Sequence, residues 1–238
     1  MTEQTQFDDA AFAEWLKKNP GGEYSLFSAR KTAAGISKGR PHPTLGPRLQ
    51  VDSDWWEAGK PIVNELLEFH RISETATVCD YGCGSLRIGA HFLKRQPKGC
   101  FFGLDVTEDF ISYGRELIGA DLLEEKRPTI GSIKSTLDKV IAAQCDVLYS
   151  THVAIHVHPD EKTTYLNNLK EICHKPGSTI IFDALISKDR VRFRNSGWGW
   201  PIKFYVEAMA PFVLSGLSYR RPRENVGHEY FFAFERPL

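Results

Sequence analysis

Two carboxylates and two glycines stand together in a pattern suited to holding a nucleoside-type cofactor. Asp80-Tyr81-Gly82-Cys83-Gly84-Ser85 places alternate glycines behind an acid, and Asp105 follows about twenty residues later. Glycine lets a backbone turn tightly and come close to a ligand. A helix N-terminus behind such a turn adds amide donors and the positive end of a dipole. A carboxylate placed like Asp105 accepts both hydroxyls of a ribose, and Asp80 can pair with an ammonium, directly or through water. The bland alternative is a tight turn capped by Ser85.

A second group of residues suits an acceptor. His152, His156 and His158 lie close together, and histidine works as a general base near neutral pH without large tuning. His152 and His156 are the candidate catalytic residues, set against the alternative that they cap a helix or pack at a rim. No cysteine or carboxylate completes a familiar ligand spacing around them, so no metal is expected. Arginines gather at Lys188-Asp189-Arg190-Val191-Arg192-Phe193-Arg194 and again at Arg220, Arg221 and Arg223. Guanidinium groups clamp carboxylates and phosphates, which makes Arg190, Arg194 and Arg221 candidate substrate contacts. Trp198 and Trp200, followed by Phe204 and Tyr205, are candidate walls of an acceptor pocket. Solvated charge and plain packing are the competing readings of these two groups.

Positioning all of these residues calls for alternating strands and helices. Short apolar runs at 77–81, 99–106, 128–133, 146–150 and 178–185 read as strands. Helical spacing marks 86–95, 109–118, 161–174 and 202–209, and 216–219 and 229–234 read as a closing strand pair with the second arginine cluster between them. Upstream, 7–18 and 55–70 are amphipathic, with Phe7 on the first apolar face. Asn19-Pro20-Gly21-Gly22 stops the first helix, and 35–47 reads as irregular. Strand–helix alternation of this kind predicts an α/β fold with a mostly parallel sheet covered on both faces, and ligands at the carboxyl ends of its strands.

The cofactor class follows from details of the loop. A nicotinamide-type fingerprint wants glycine at its sixth position, where this chain has Arg87, and no tyrosine is followed by lysine four residues on. VCDYGCGSLRIG and FFGLDV instead resemble the first two motifs of the class I, Rossmann-like methyltransferases that use S-adenosylmethionine. CDVLYSTHVAIHVHPDEKTTYLNNLKEICHKPGSTIIFDAL resembles their later motifs. The resemblance covers about Thr75 to the C-terminus. It implies a seven-stranded sheet with an antiparallel seventh strand, and S-adenosyl-L-methionine as cofactor. It further implies that Asp80, Gly82, Gly84 and Ser85 line the methionine half, with Cys83 and Arg87 also among the cofactor contacts. Asp105 would hold the ribose and Val106 would lie beside the adenine. Ser132 and Ile133 would contact the adenine, and Ser150 and Thr151 would stand close to the transferring methyl. One departure is Leu86, which occupies the place of the family's third glycine.

The chain divides on this reading into an N-terminal helical extension, residues 1–74, and a methyltransferase unit, residues 75–238. Tyr24, Phe27, Arg40 and His42 in the extension are candidates for a lid over the cofactor, or for a docking segment without such a role. Formal charge is zero, from 30 basic and 30 acidic residues. Together with STHVAIH in place of a base-recognising Asn/Asp-Pro-Pro-aromatic run, this argues against DNA as acceptor. The N-terminus lacks a basic n-region, no apolar run reaches membrane-spanning length, and the five cysteines read as reduced thiols, so the expected location is the cytoplasm. The expected reaction is methyl transfer to oxygen or nitrogen of a small molecule, anionic or sugar-bearing. An NAD(P)-dependent oxidoreductase and a non-catalytic S-adenosylmethionine-binding subunit are the alternatives.

Overall fold

The computed structural model describes residues 3–38, 52–194, 197–223 and 226–238. Arg40, His42, the irregular stretch expected beyond Lys38 and the side chain of Phe7 lie outside what is described. Five parallel strands form the centre: β1 (Val78–Tyr81), β2 (Phe101–Asp105), β3 (Thr129–Ser132), β4 (Val147–Ser150) and β5 (Thr179–Ile186). β1, β2 and β4 are buried along their whole length, as strands covered on both faces must be. Two further strands close the sheet, β8 (Val213–Arg223) and β9 (Gly227–Glu235), in the order β3-β2-β1-β4-β5-β9-β8. β9 runs antiparallel to both of its neighbours, held to β5 partly by the stack of Phe182 on Phe232 at 5.4 Å. The expected seven-stranded, mostly parallel sheet is therefore the observed one.

Helices cover both faces. α3 (Asp52–Phe69), α4 (Gly89–Arg95) and α5 (Glu108–Ile118) pack on one side around Leu66, Leu86, Phe92, Ile111 and Tyr149. On the other side α7 (Ile133–Ala143), α8 (Lys162–Ile172) and α9 (Ile202–Ala208) pack around Val140, Leu166, Phe182, Tyr205 and Phe232. α6 (Ala120–Lys126) leads into β3. α1 (Glu3–Lys18) and α2 (Tyr24–Ile36) form a separate pair whose aromatic contact is with Trp198. No helix among the described residues is long and apolar enough to cross a membrane.

Several elements differ from expectation. α2 extends through Gly35 and Ile36, where irregular chain was expected. α7 occupies the interval after β3 that held no predicted element, although Ile133, Leu137, Val140 and Ile141 repeat at helical spacing. The segment between β5 and α9, to which the sequence assigns no element, holds a hairpin, β6 (Val191–Phe193) with β7 (Gly197–Gly199). The arginines expected between the closing strands belong to β8 itself, because that strand runs to Arg223. The helix expected from Leu86 begins at Gly89. Leu86 sits at φ +62°, a left-handed conformation that no right-handed helix can contain.

Candidate active site

The strand order reverses between β1 and β4, and the two loops that leave these strands touch. A Cβ added to Gly82 would stand 2.3 Å from Val153 Cγ2, so only glycine admits this approach. Gly82 and Gly84 take positive φ, +82° and +53°, and the turn is anchored to β2 by the N–H groups of Gly82 and Cys83, which donate to Leu104 O at 2.7 and 2.9 Å. Leu86 continues the left-handed path. The family's glycine is absent from this position, yet the glycine-like backbone is present.

Space for the leucine comes from three glycines around it. Its side chain would lie within 3.5 Å of a Cβ on Gly89, Gly103 or Gly114, and it is fully buried. Leu86→Gly would relieve about 1–2 kcal/mol of backbone strain, but it removes a buried leucine at about 2–5 kcal/mol. The expected net result is destabilisation by roughly 1–3 kcal/mol, read from the urea midpoint. A midpoint that holds or rises would mean that strain outweighs packing here.

Both predicted cofactor carboxylates are buried at this turn. Asp105 Oδ2 accepts from Gly84 N–H at 2.8 Å and Oδ1 from Thr107 N–H at 3.4 Å. Burial pushes its carboxyl up to about 6, against the pull of the Gly84, Thr107 and Val106 amides. Asp80 lies between Gly103 of β2 and Tyr149 of β4, only 2% exposed. Its Oδ2 and the Tyr149 hydroxyl lack hydrogen-bond partners among the described residues, although the phenol is close enough to favour the carboxylate. Burial dominates and raises Asp80 to about 8, more than Tyr149 and the Arg87 guanidinium lower it.

The remaining predicted cofactor residues surround this pair to different degrees. Ser85 is buried, and its hydroxyl accepts from Trp55 Nε1 of α3 at 3.0 Å. Arg87 reaches Ala58 O of α3 at 3.3 Å. α3 thus clamps the glycine turn from behind, closely enough that a Cβ on Gly59 would stand 2.0 Å from Arg87 O. Cys83 packs its buried thiol toward Gly103. Val106 is half-buried at the end of β2. Ser132 donates its N–H to Glu108 at 2.7 Å, and Ile133 opens α7 beside it. Ser150 is wholly enclosed, donating to Tyr81 O at 2.8 Å and accepting from the Tyr165 hydroxyl at 2.9 Å, and Thr151 is buried after it. Ser150 therefore ties β4 to β1 and presents no accessible hydroxyl.

His152 follows at φ +59°, an unusual conformation for a residue with a side chain and one that marks functional loops. Its N–H donates to Asp183 Oδ1 at 2.6 Å, while its Nε2 stands 3.8 Å from Asp183 Oδ2 without a hydrogen bond. Arg220 of β8 occupies that second carboxylate oxygen and pairs with both oxygens of Glu65 on α3 at 2.6 Å. Burial, then the charges of Arg220, Arg87 and Arg221, lowers His152 to about 3. His156 lies exposed on a short 3-10 turn, Ala154–His156. His158 packs between Tyr24 at 4.9 Å and Trp198 at 5.2 Å.

The predicted acceptor residues divide in two. Trp198 is buried edge-on against Tyr24, and Trp200 stacks on Phe204 at 4.3 Å with exposed Arg190 over its other side. Arg194, at the tip of the β6–β7 hairpin, and Arg223 of β8 both stand over the Phe193 ring. Arg221 and Arg223 share the buried carboxylate of Glu229, which overrides burial and holds that carboxyl below its ordinary value. α1 and α2 dock on this region through Arg192–Asp9 at 2.7 Å and through Glu161, which accepts from the Tyr24 and Ser25 amides. Arg220 was legible as one of a basic cluster but not as the partner of buried carboxylates, and Asp183, Glu65 and Trp55 escaped the sequence reading. Asp183 alone left a signal there, as a carboxylate inside the apolar run of β5.

No protein-family model matches the chain, and no curated protein matches it in sequence. Solved structures do share its fold. The magnesium protoporphyrin IX methyltransferase (ChlM) from Synechocystis PCC 6803 with bound SAM aligns with a TM-score of 0.61 at 12% identity, over 89% of this chain and 97% of that one. The 1,6-didemethyltoxoflavin-N1-methyltransferase from Burkholderia thailandensis, with its substrate and S-adenosylhomocysteine bound, gives 0.55 at 17% identity, over 88% and 87%. The 4+2-cyclase SpnF gives 0.60 at 10% identity, over 87% and 93%. The chain thus has the Rossmann-like fold of S-adenosylmethionine-dependent methyltransferases. That fold also carries a cyclase, so the reaction must be argued from the site.

Proposed function

We propose that this protein is an S-adenosylmethionine-dependent methyltransferase acting on a small acceptor. The observation that carries this reading is the pair of buried carboxylates at the glycine turn, with one oxygen of Asp80 left without a partner. A buried polar atom without a partner is costly, and a cationic ligand removes that cost. A pyrophosphate, by contrast, would meet an ionised Asp80 as a like charge. Bound S-adenosylmethionine supplies an electrophilic methyl group. Around it, Asp80 would face the ammonium, the left-handed turn from Gly82 to Leu86 would let the backbone approach, and Asp105 would hold the ribose hydroxyls. Val106, Ser132 and Ile133 would contact the adenine, and Thr151 and His152 would stand toward the acceptor.

The acceptor side favours an anion. Arg190 and Arg194 bring exposed guanidinium groups to the β6–β7 hairpin, Arg221 adds a half-exposed one, and Trp200 offers an aromatic wall. α1 and α2 cover this side and exclude water, the role we assign to the N-terminal extension. Burial and the neighbouring guanidinium groups lower the basicity of His152, which favours an acceptor atom that reacts without a strong base.

Calorimetric titration with S-adenosylmethionine, S-adenosylhomocysteine and NADH tests the reading directly. Binding of the first two with none of the third is expected, and binding of NADH alone would overturn it. Asp105→Ala should weaken S-adenosylhomocysteine by roughly 1–3 kcal/mol, the worth of charge-assisted hydrogen bonds. Undiminished affinity in a folded variant would remove Asp105 from the ribose role.

A further inference from the structure

We propose that Arg220 is a positioning residue for His152: by engaging the second oxygen of Asp183, it prevents an imidazole–carboxylate pair and keeps His152 a hydrogen-bonding wall of the acceptor site, not its base. This rests on the reading above only in placing the loop after β4 beside the acceptor.

The geometry separates two functions within one carboxylate. Asp183 Oδ1 accepts the His152 backbone N–H at 2.6 Å and so holds the residue in its left-handed conformation. Oδ2 points toward the imidazole, yet it stands 3.8 Å from Nε2, and Arg220 Nη1 donates to it instead. Arg220 is itself held by a two-pronged pair with Glu65, its side chain only 7% exposed, so it cannot swing away to release Asp183. The result is a buried imidazole nitrogen with no hydrogen-bond partner among the described residues, next to a carboxylate already in use. An imidazole paired to a carboxylate gains basicity, whereas one facing guanidinium groups loses it.

The charged groups around the ring come from every packed element. They are Asp183 on β5, Arg220 and Arg221 on β8, Glu229 on β9, and Arg87 on the glycine turn. Asp183 serves Arg220, which Glu65 also holds, and Glu229 serves Arg221 and Arg223, so neither Asp183 nor Glu229 is left to the imidazole. His152 accordingly falls to about 3, through burial first and these cations second.

Ring-nitrogen NMR titration tests this without any cofactor, so its failure is distinct from a failure to bind S-adenosylmethionine. The His152 signals are assigned by their loss in His152→Gln. In the native protein they should remain those of a neutral ring down to pH about 4. The double variant Glu65→Gln/Arg220→Met removes both partners of the ion pair together, which leaves no unpaired carboxylate on α3. There Asp183 is free to take the imidazole, and the midpoint should rise by more than about two pH units. An unmoved midpoint in the folded double variant would overturn the proposal, as would a native midpoint between about 6 and 7. If the double variant does not fold, Arg220→Lys, which keeps the charge but cannot reach both Glu65 and Asp183 with a planar fork, is titrated in its place, and an unmoved midpoint there overturns the proposal equally.

Discussion

Asp80→Asn is expected to make the protein more stable and its cofactor binding worse. Its carboxyl is raised to about 8 in the folded chain by burial, while in the unfolded chain it ionises at its ordinary value near 3.8. Between these limits the unfolded state holds fewer protons than the folded state, so rising pH lowers the stability of the native protein. That loss begins near pH 4 and levels off above pH about 8. Asparagine fits the same space and does not titrate. The variant should gain on the order of 2 kcal/mol at pH 7, with an advantage that grows from pH 5 to pH 8. Thermal melts across that range give the answer, and parallel curves for the two proteins would sink the idea. For the ligand the sign reverses. An ammonium beside Asp80 draws it into the ionised form, so binding releases a proton below pH about 8. S-adenosylmethionine should bind the variant about ten- to a hundredfold more weakly, as expected for the loss of a charge-assisted hydrogen bond. Calorimetry in buffers of different ionisation heat reads the proton, and equal heats would place the ammonium elsewhere.

Gly59→Ala separates helix propensity from tertiary contact. Inside a helix this exchange normally stabilises by about 1 kcal/mol. Here the added methyl would sit 2.0 Å from Arg87 O and 2.9 Å from Arg87 C, both backbone atoms of the glycine turn, and 3.0 Å from the His91 ring. Backbone cannot move aside as a flexible side chain does. Either α3 shifts outward, breaking Trp55–Ser85 and Arg87–Ala58, or the turn deforms. We expect destabilisation of about 3 kcal/mol, within the range for overpacked sites, and cofactor affinity reduced tenfold or more. Chemical denaturation and calorimetry on the same preparation check both effects. A variant at least as stable as the native protein, with native affinity, would show that α3 is not a clamp on the turn.

Much of the central sheet is legible in the sequence because its signals are local. β1, β2, β4 and β5 are short apolar runs bounded by turns, and the acids and glycines that end them carry their own chemistry. The turn at Leu86 shows where local reading stops. The residue type argues against a left-handed conformation, and only Gly89, Gly103 and Gly114, drawn from three different elements, make it tolerable. α7 was hidden for another reason. It starts at Ile133, directly after β3 ends at Ser132, so the change from strand to helical period falls with no turn residues between the two elements. The arginines of β8 were legible as charge but not as partners. Arg220 finds Glu65 from 155 positions away, and nothing in the spacing of either residue announces the other. The aromatic residues of the β6–β7 hairpin were visible as a cluster, while their contact with α1 and α2 depends on how the chain returns over the sheet.

The link between Glu65 and Arg220 also bears on how the protein is made. Among the described elements α3 is synthesised before any strand of the sheet, and β8 after all of its strands but β9. Chains emerge from the ribosome at about 5–20 residues per second, so α3 and the glycine turn wait many seconds for the arginine that joins them to the far edge. During that interval Glu65 has no cation from β8, and Asp183 is a carboxylate inside an unfinished core. Contacts of such long sequence separation form late and slowly. The arrangement around His152 is therefore completed only once β8 has followed α3 and β5 out of the ribosome, so a strand of the sheet edge sets when a pair that begins on α3 can close.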